Sequence, residues 1–122
     1  MNDASKWPTG KLTGLRLGRR LVAEVPATRT DRRAFVDITP RQTPRDSEAR
    51  AQGWVHNDTD RTFRLEHWEY ASELIDGFDY DIGAVLVASA EAPDESELVD
   101  VLTQWQLSPH QFVYPWDSDD PK

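Results

Sequence analysis

The longest unbroken apolar run in this 122-residue chain is five residues, Ala84 to Ala88. A membrane span needs about 20 such residues, and a strand or helix buried on every side reads as continuous apolar sequence. Most elements here must therefore bury one face and give the other to water, so the period of the apolar residues carries the fold.

From Leu15 to Val25 the odd positions read Leu, Leu, Arg, Leu, Ala, Val, against mainly polar or small even positions. Period two predicts a half-buried strand, bulged at Gly18 and ended by Pro26. A turn over 28–31 leads to a second strand, Arg32 to Ile38, with Ala34, Val36 and Ile38 inward. The stretch 39–52 is polar; Thr43 can cap a short helix with Pro44 at its first position, Asp46 three residues after the cap and Gly53 after its end. Segments 53–57 and 61–70 predict a second hairpin around Asn57-Asp58-Thr59-Asp60. Ile82 to Ala88, apolar on both faces, predicts a central covered strand.

The clearest helix signal comes next. Asp94 with Glu97 three residues on is a capping-box pattern. Leu98, Val101, Leu102 and Trp105 then form one apolar stripe, for which the 82–88 strand offers a surface. Phe112 to Tyr114 predicts a last short strand. The fold class expected is α+β: a mostly antiparallel sheet or small OB-like barrel of about five strands, with one C-terminal amphipathic helix packed on it. Residues 1–10 form an N-terminal arm with Trp7 as anchor, residues 11–116 one domain, and residues 117–122 an acidic, frayed tail.

Charge is unevenly divided. Residues 1–50 carry eleven Lys/Arg against six Asp/Glu, and residues 51–122 carry three against sixteen, within a net charge of −8. Two readings follow. The halves pack together and pair their charges, or the acidic half presents a negative face to a basic partner. The segment Glu73-Leu74-Ile75-Asp76-Gly77-Phe78-Asp79-Tyr80-Asp81 favours the second, because rings supply buried anchor area while carboxylates steer a basic surface. Glu73, Asp76, Phe78, Asp79, Tyr80 and Asp81 are therefore the candidate partner-binding residues. A nuclease must keep a basic groove for phosphates, which such a segment can occupy. In the alternative, Leu74, Ile75, Phe78 and Tyr80 plug the end of the sheet and the acids face water.

Catalytic and metal patterns are weak. The chain has no Cys, which removes thiol chemistry, disulfides and Cys-based zinc sites. His56-Asn57-Asp58-Thr59-Asp60 lacks the Gly and Glu of an EF-hand loop and is an ordinary turn composition. His67 shares a strand face with Phe63 and Leu65. No Ser sits in a Gly-x-Ser-x-Gly elbow, the six Gly form no phosphate-binding loop, and the pairs Glu66/Glu69 and Asp79/Asp81 have no distinguishing context. The reading is non-enzymatic, without cofactor or metal, with a small hydrolase or isomerase as a residual. The opening residues Met1 to Pro8 contain no apolar signal core, so a cytoplasmic protein with no membrane partner is expected.

The first two-thirds carry a resemblance. Leu17-Gly18 with Val22 to Val25, then Ala34-Phe35-Val36-Asp37-Ile38, then Gly53-Trp54-Val55-His56, then Ile82-Gly83-Ala84-Val85-Leu86-Val87 follow one another in a known order. Over about residues 11–90 this resembles the RNA-binding OB-fold repeat of the largest protein of the bacterial small ribosomal subunit. The departures are Arg33 where that family has Gly, the long 39–52 loop, and a helix in place of the fifth strand. The resemblance implies an alternative function, single-stranded nucleic-acid binding, with Phe35 stacking on a base, Arg32 and Arg33 on phosphates and His56 nearby. Against it, Phe35 can equally be core beneath the helix or the 39–52 loop, and sixteen downstream carboxylates oppose a polyanion.

Overall fold

The computed structural model of the chain describes residues 7–8, 10–54, 61–75, 77 and 79–121. Trp7, buried as the anchor expected of it, leads into α1 (Lys11–Arg16), whose Leu12 and Leu15 sit three apart and are both buried. Residues 11–16 are thus helical, and the strand expected from Leu15 begins only at β1 (Leu21–Val25). The alternation misled because Leu12 and Leu15 also obey a helical spacing, and Gly18 is not a bulge. It holds a left-handed φ of 88° that ends the helix.

Four strands form one antiparallel sheet in sequence order: β1, β2 (Arg32–Pro40), β3 (Phe63–Ala71) and β4 (Val85–Ala92). The fold is α+β. The sheet is open rather than a closed barrel, and it has four strands rather than five. β1 and β2 make the expected hairpin, with Ala23 opposite Val36. Between β2 and β3 lies α2 (Pro44–Ala51), with the cap at Thr43, Pro44 first and Asp46 completing the capping box, as the sequence indicates. Gly53 and Trp54 are not in a strand, contrary to expectation; residues 55–57, and the turn expected at 57–60, lie outside the described residues. β3 pairs with β2 on one side and β4 on the other.

β4 corrects a second expectation. It starts at Val85 and forms an edge of the sheet, not its centre, and Val85, Leu86 and Val87 remain 39%, 43% and 42% exposed. Its register slips opposite His67 and Trp68: His67 faces Ala88 and Trp68 faces Leu86, which leaves Val87 unopposed as a bulge. The other edge is partly covered. Val113 makes two backbone hydrogen bonds of 2.9 Å with Val22, a single bridge where a short strand was expected.

The sheet has an apolar cluster on each face. On one side Leu21, Ala23, Val36, Ile38, Phe63, Leu65 and Ala92 meet α1 and α3 (Glu95–Gln104). The α3 cap forms as its sequence implies: the Asp94 carboxylate accepts the Glu97 N–H at 2.8 Å. Leu98, Val99 and Leu102 are buried, with Val101 and Trp105 packed beside them. On the other side Val22, Phe35, Tyr70 and Ile75 pack with Trp68, Tyr80, Ala84 and Val113. The tail is not frayed, because Asp119 and Asp120 reach Arg33 and Arg20 at 3.0 and 2.5 Å. Among the described residues no helix is long and apolar enough to cross a membrane.

Candidate functional site

The connector between β3 and β4 holds most of the residues singled out for partner binding. A 3-10 turn (Ser72–Leu74) follows β3, and Ile75 is buried in the cluster below. Tyr80 meets Tyr70 edge-on, with ring centroids 6.2 Å apart. Turn hydrogen bonds from Ile82 N–H to Asp79 C=O and from Ala84 N–H to Asp81 C=O bring the chain into β4. Ile75 and Tyr80 thus plug one face of the sheet, and Glu73, Asp79 and Asp81 stand exposed above it. Asp76 and Phe78 lie outside the described residues.

These acids differ from most of the others. Arg16 holds Glu95, Arg32 holds Glu69, Arg41 holds Glu91, and Arg33 bonds both Glu24 and Asp119. Arg20 bonds both Asp37 and Asp120. Five of the thirteen described carboxylates of residues 51–122, those of Glu69, Glu91, Glu95, Asp119 and Asp120, thus pair with arginines of the first half, which narrows the broad negative face considered from sequence. Among the described residues no ion pair reaches Glu73, Asp79 or Asp81. Immediately after them come Ile82, 61% exposed, and the open apolar edge Val85–Val87. Leu86 and its neighbours could not be placed at a surface from sequence, because an apolar edge strand and a covered central strand read alike; the Gly83 turn and the bulge leave no sequence signal that separates them.

The residues of the nucleic-acid alternative are otherwise engaged. Phe35 is buried against Tyr70 at 6.1 Å, so its ring is core. The Arg33 guanidinium lies on Glu24 and Asp119, which raise its pKa above the usual arginine value. Arg32 approaches the buried Glu69 at 3.5 Å. His56 lies outside the described residues.

Two titratable groups lie on the other face. Burial opposes ionisation of Glu69, but the Thr28 N–H and hydroxyl, both donating at 2.8 Å, together with Arg32, hold its carboxyl below the usual range. Burial lowers the pKa of His67, against the pull of nearby Glu69, and keeps the imidazole neutral at pH 7. His67 Nε2 is buried with no hydrogen-bond partner among the described residues. No group of three or more His, Asp or Glu that could hold a metal occurs among them.

Compared with family models, with curated proteins and with solved structures, the chain matches none.

Proposed function

We propose that this chain is a non-enzymatic protein-binding module, an inhibitor or immunity-type protein that neutralises a basic partner such as a nuclease. The observation that carries the reading is the continuity of two unlike surfaces. Exposed carboxylates at Glu73, Asp79 and Asp81, without ion pairs among the described residues, run directly into an exposed apolar edge at Ile82 and Val85–Val87. Carboxylates at the rim speed and orient the approach of a basic surface, while the apolar strip supplies area to bury. The β4 edge adds its unpaired backbone groups, which an extended segment of the partner can take up.

Affinity capture from native cytosol tests the reading with three forms of the protein: wild type, Asp79→Asn/Asp81→Asn, and Leu86→Lys. Wild type is expected to retain a basic protein in a salt-dependent manner. The double variant should slow association with that protein at low salt, and Leu86→Lys should speed its release. A captured protein whose association and release are unchanged by both variants would remove this surface from the interface. Saturable binding of mixed single-stranded oligonucleotides at low salt would favour the nucleic-acid function instead.

A further inference from the structure

All three α-helices among the described residues end in the same hydrogen-bonded motif. After α1, Arg19 N–H donates to Gly14 C=O at 2.9 Å and Gly18 N–H to Leu15 C=O at 3.0 Å. After α2, Trp54 N–H donates to Ala49 C=O at 2.7 Å and Gly53 N–H to Arg50 C=O at 3.0 Å. After α3, Leu107 N–H donates to Leu102 C=O at 2.8 Å and Gln106 N–H to Thr103 C=O at 3.0 Å. The motif needs one left-handed residue just past the helix, and glycine suits it because it has no Cβ to clash. Gly18 and Gly53 fill the place with φ of 88° and 79°. After α3 the residue is Gln106, at φ 61°, the one non-glycine residue with positive φ among those described. A long side chain is held there against the local preference.

That side chain lines a cleft of about 450 Å³ between the sheet and the end of α3. Its floor includes one cross-strand row, Val36 opposite His67 and His67 opposite Ala88. Trp105 and Leu107 line the α3 side. The lining contains no charged side chain, so an ionised ligand would find no counter-charge. Its polar side chains are His67, Trp105, Gln106 and Gln111, and the Gln111 carbonyl oxygen is already used, accepting the Ser108 N–H at 2.7 Å. Gln106 is exposed and its side-chain amide makes no hydrogen bond to another described residue. An amide both donates and accepts, so it can serve a hydroxyl or an amide of a ligand.

We infer that this cleft binds a small uncharged ring compound bearing a hydroxyl or amide group, and that Gln106 keeps its left-handed place in order to hydrogen-bond that group. The site lies on the α3 side of the sheet, whereas Ile75 and Tyr80 of the acidic connector pack on the opposite face. Ala88 on the cleft floor follows Val85–Val87 along β4, so the two readings are separated by variant: Gln106→Gly tests ligand binding, and Asp79→Asn/Asp81→Asn tests partner binding.

Titrations followed by backbone amide NMR test the inference, with naphthol as the neutral probe and naphthoate and naphthylmethylammonium as charged probes of the same shape. Naphthol should shift the amides of Ala88, Trp105, Gln106 and Leu107 saturably below about 1 mM, with the charged probes at least about tenfold weaker. Gln106→Gly relieves the backbone and should leave the melting temperature equal or higher while weakening naphthol at least about fivefold. Ala88→Phe fills the floor and should abolish binding, with circular dichroism reporting whether the fold is kept. Equal binding of naphthoate, no saturation by naphthol, or unchanged naphthol affinity in Gln106→Gly would each overturn the inference.

Discussion

Replacing Arg61 by Met should destabilise this protein more than any change to its surface charges. The side chain is fully buried. Its guanidinium donates to Arg16 C=O at 2.8 Å, to Arg41 C=O at 2.9 Å, and to the two oxygens of Asp46 at 2.6 and 2.5 Å. One fork therefore joins the end of α1, the end of β2 and the start of α2. Met keeps the apolar stem and deletes these four bonds, leaving the Asp46 carboxylate its contacts with the Thr43 N–H and hydroxyl. Breaking a buried pair from one side costs about 3–5 kcal/mol, because the other charge is stranded. The two carbonyls add to that cost unless water reaches them. A chain of this size has roughly 6–18 kcal/mol in total, so a loss of about 4 kcal/mol should lower the urea midpoint by about 2 M.

Urea unfolding followed by fluorescence measures this directly. Arg61→Met/Asp46→Leu should recover part of the loss, since no carboxylate is then left buried without its partner. Arg33→Met, whose ion pairs are largely exposed, should cost no more than about 1 kcal/mol. The reasoning fails if Arg61→Met costs as little as Arg33→Met, or if adding Asp46→Leu deepens the loss. The pair also has a pH signature. The Arg61 guanidinium, helped by the Thr43 N–H, holds the Asp46 carboxyl well below the usual carboxylate range. Its contribution is complete above the ordinary Asp pKa and is lost as pH falls through the depressed folded value. Asp46→Asn should therefore flatten the dependence of stability on pH beneath about pH 4.

Three further outcomes are expected. Burial, and behind it the charges of Asp120 and Asp37, raise the pKa of Tyr70, so its stabilisation is present below the ordinary tyrosine pKa and lost as pH rises above it; ultraviolet titration should show a tyrosine that ionises only with unfolding, and Tyr70→Phe should remove that step. His67, lowered by burial, should keep a neutral imidazole spectrum by NMR to lower pH than an ordinary histidine, and stability should decline as pH falls through the ordinary histidine range, where the unfolded chain takes up the proton; a His67→Phe variant should lack this decline. A Cβ placed on Gly14 would lie 2.6 Å from the Tyr114 hydroxyl. Gly14→Ala should therefore displace that ring, detected as changed fluorescence of the Trp116 stacked on it at 4.6 Å, while costing under about 1 kcal/mol because a side-chain end can move.

The elements that were legible in the sequence are those whose evidence is local. Thr43, Pro44 and Asp46 announce α2, and Asp94 with Glu97 announces α3, because a cap is a conversation between residues three apart. β2 was legible from Ala34, Val36 and Ile38. The first helix was hidden because Leu12 and Leu15 fit a helix while Leu15 to Val25 also alternates, and six residues are too few to decide a period. Arg61 gave no sign of burial: its partners Arg16, Arg41 and Asp46 lie 15 to 45 residues away. The acidic connector was legible as composition, and the plugging role of Ile75 and Tyr80 was one of the two readings its sequence allowed. The cleft was not legible at all, since the left-handed state of Gln106 exists only once α3 has ended against the sheet.

The cross-link of β1 to the far end of the chain has a consequence for how the protein is made. Val22 finds Val113, and Arg20 finds Asp120 exactly one hundred positions later in the order of synthesis. A ribosome releases the first hairpin long before it releases those partners, so β1 must wait with an unsealed edge while Arg20 keeps Asp37 of the same hairpin. The strand that is born first is finished last.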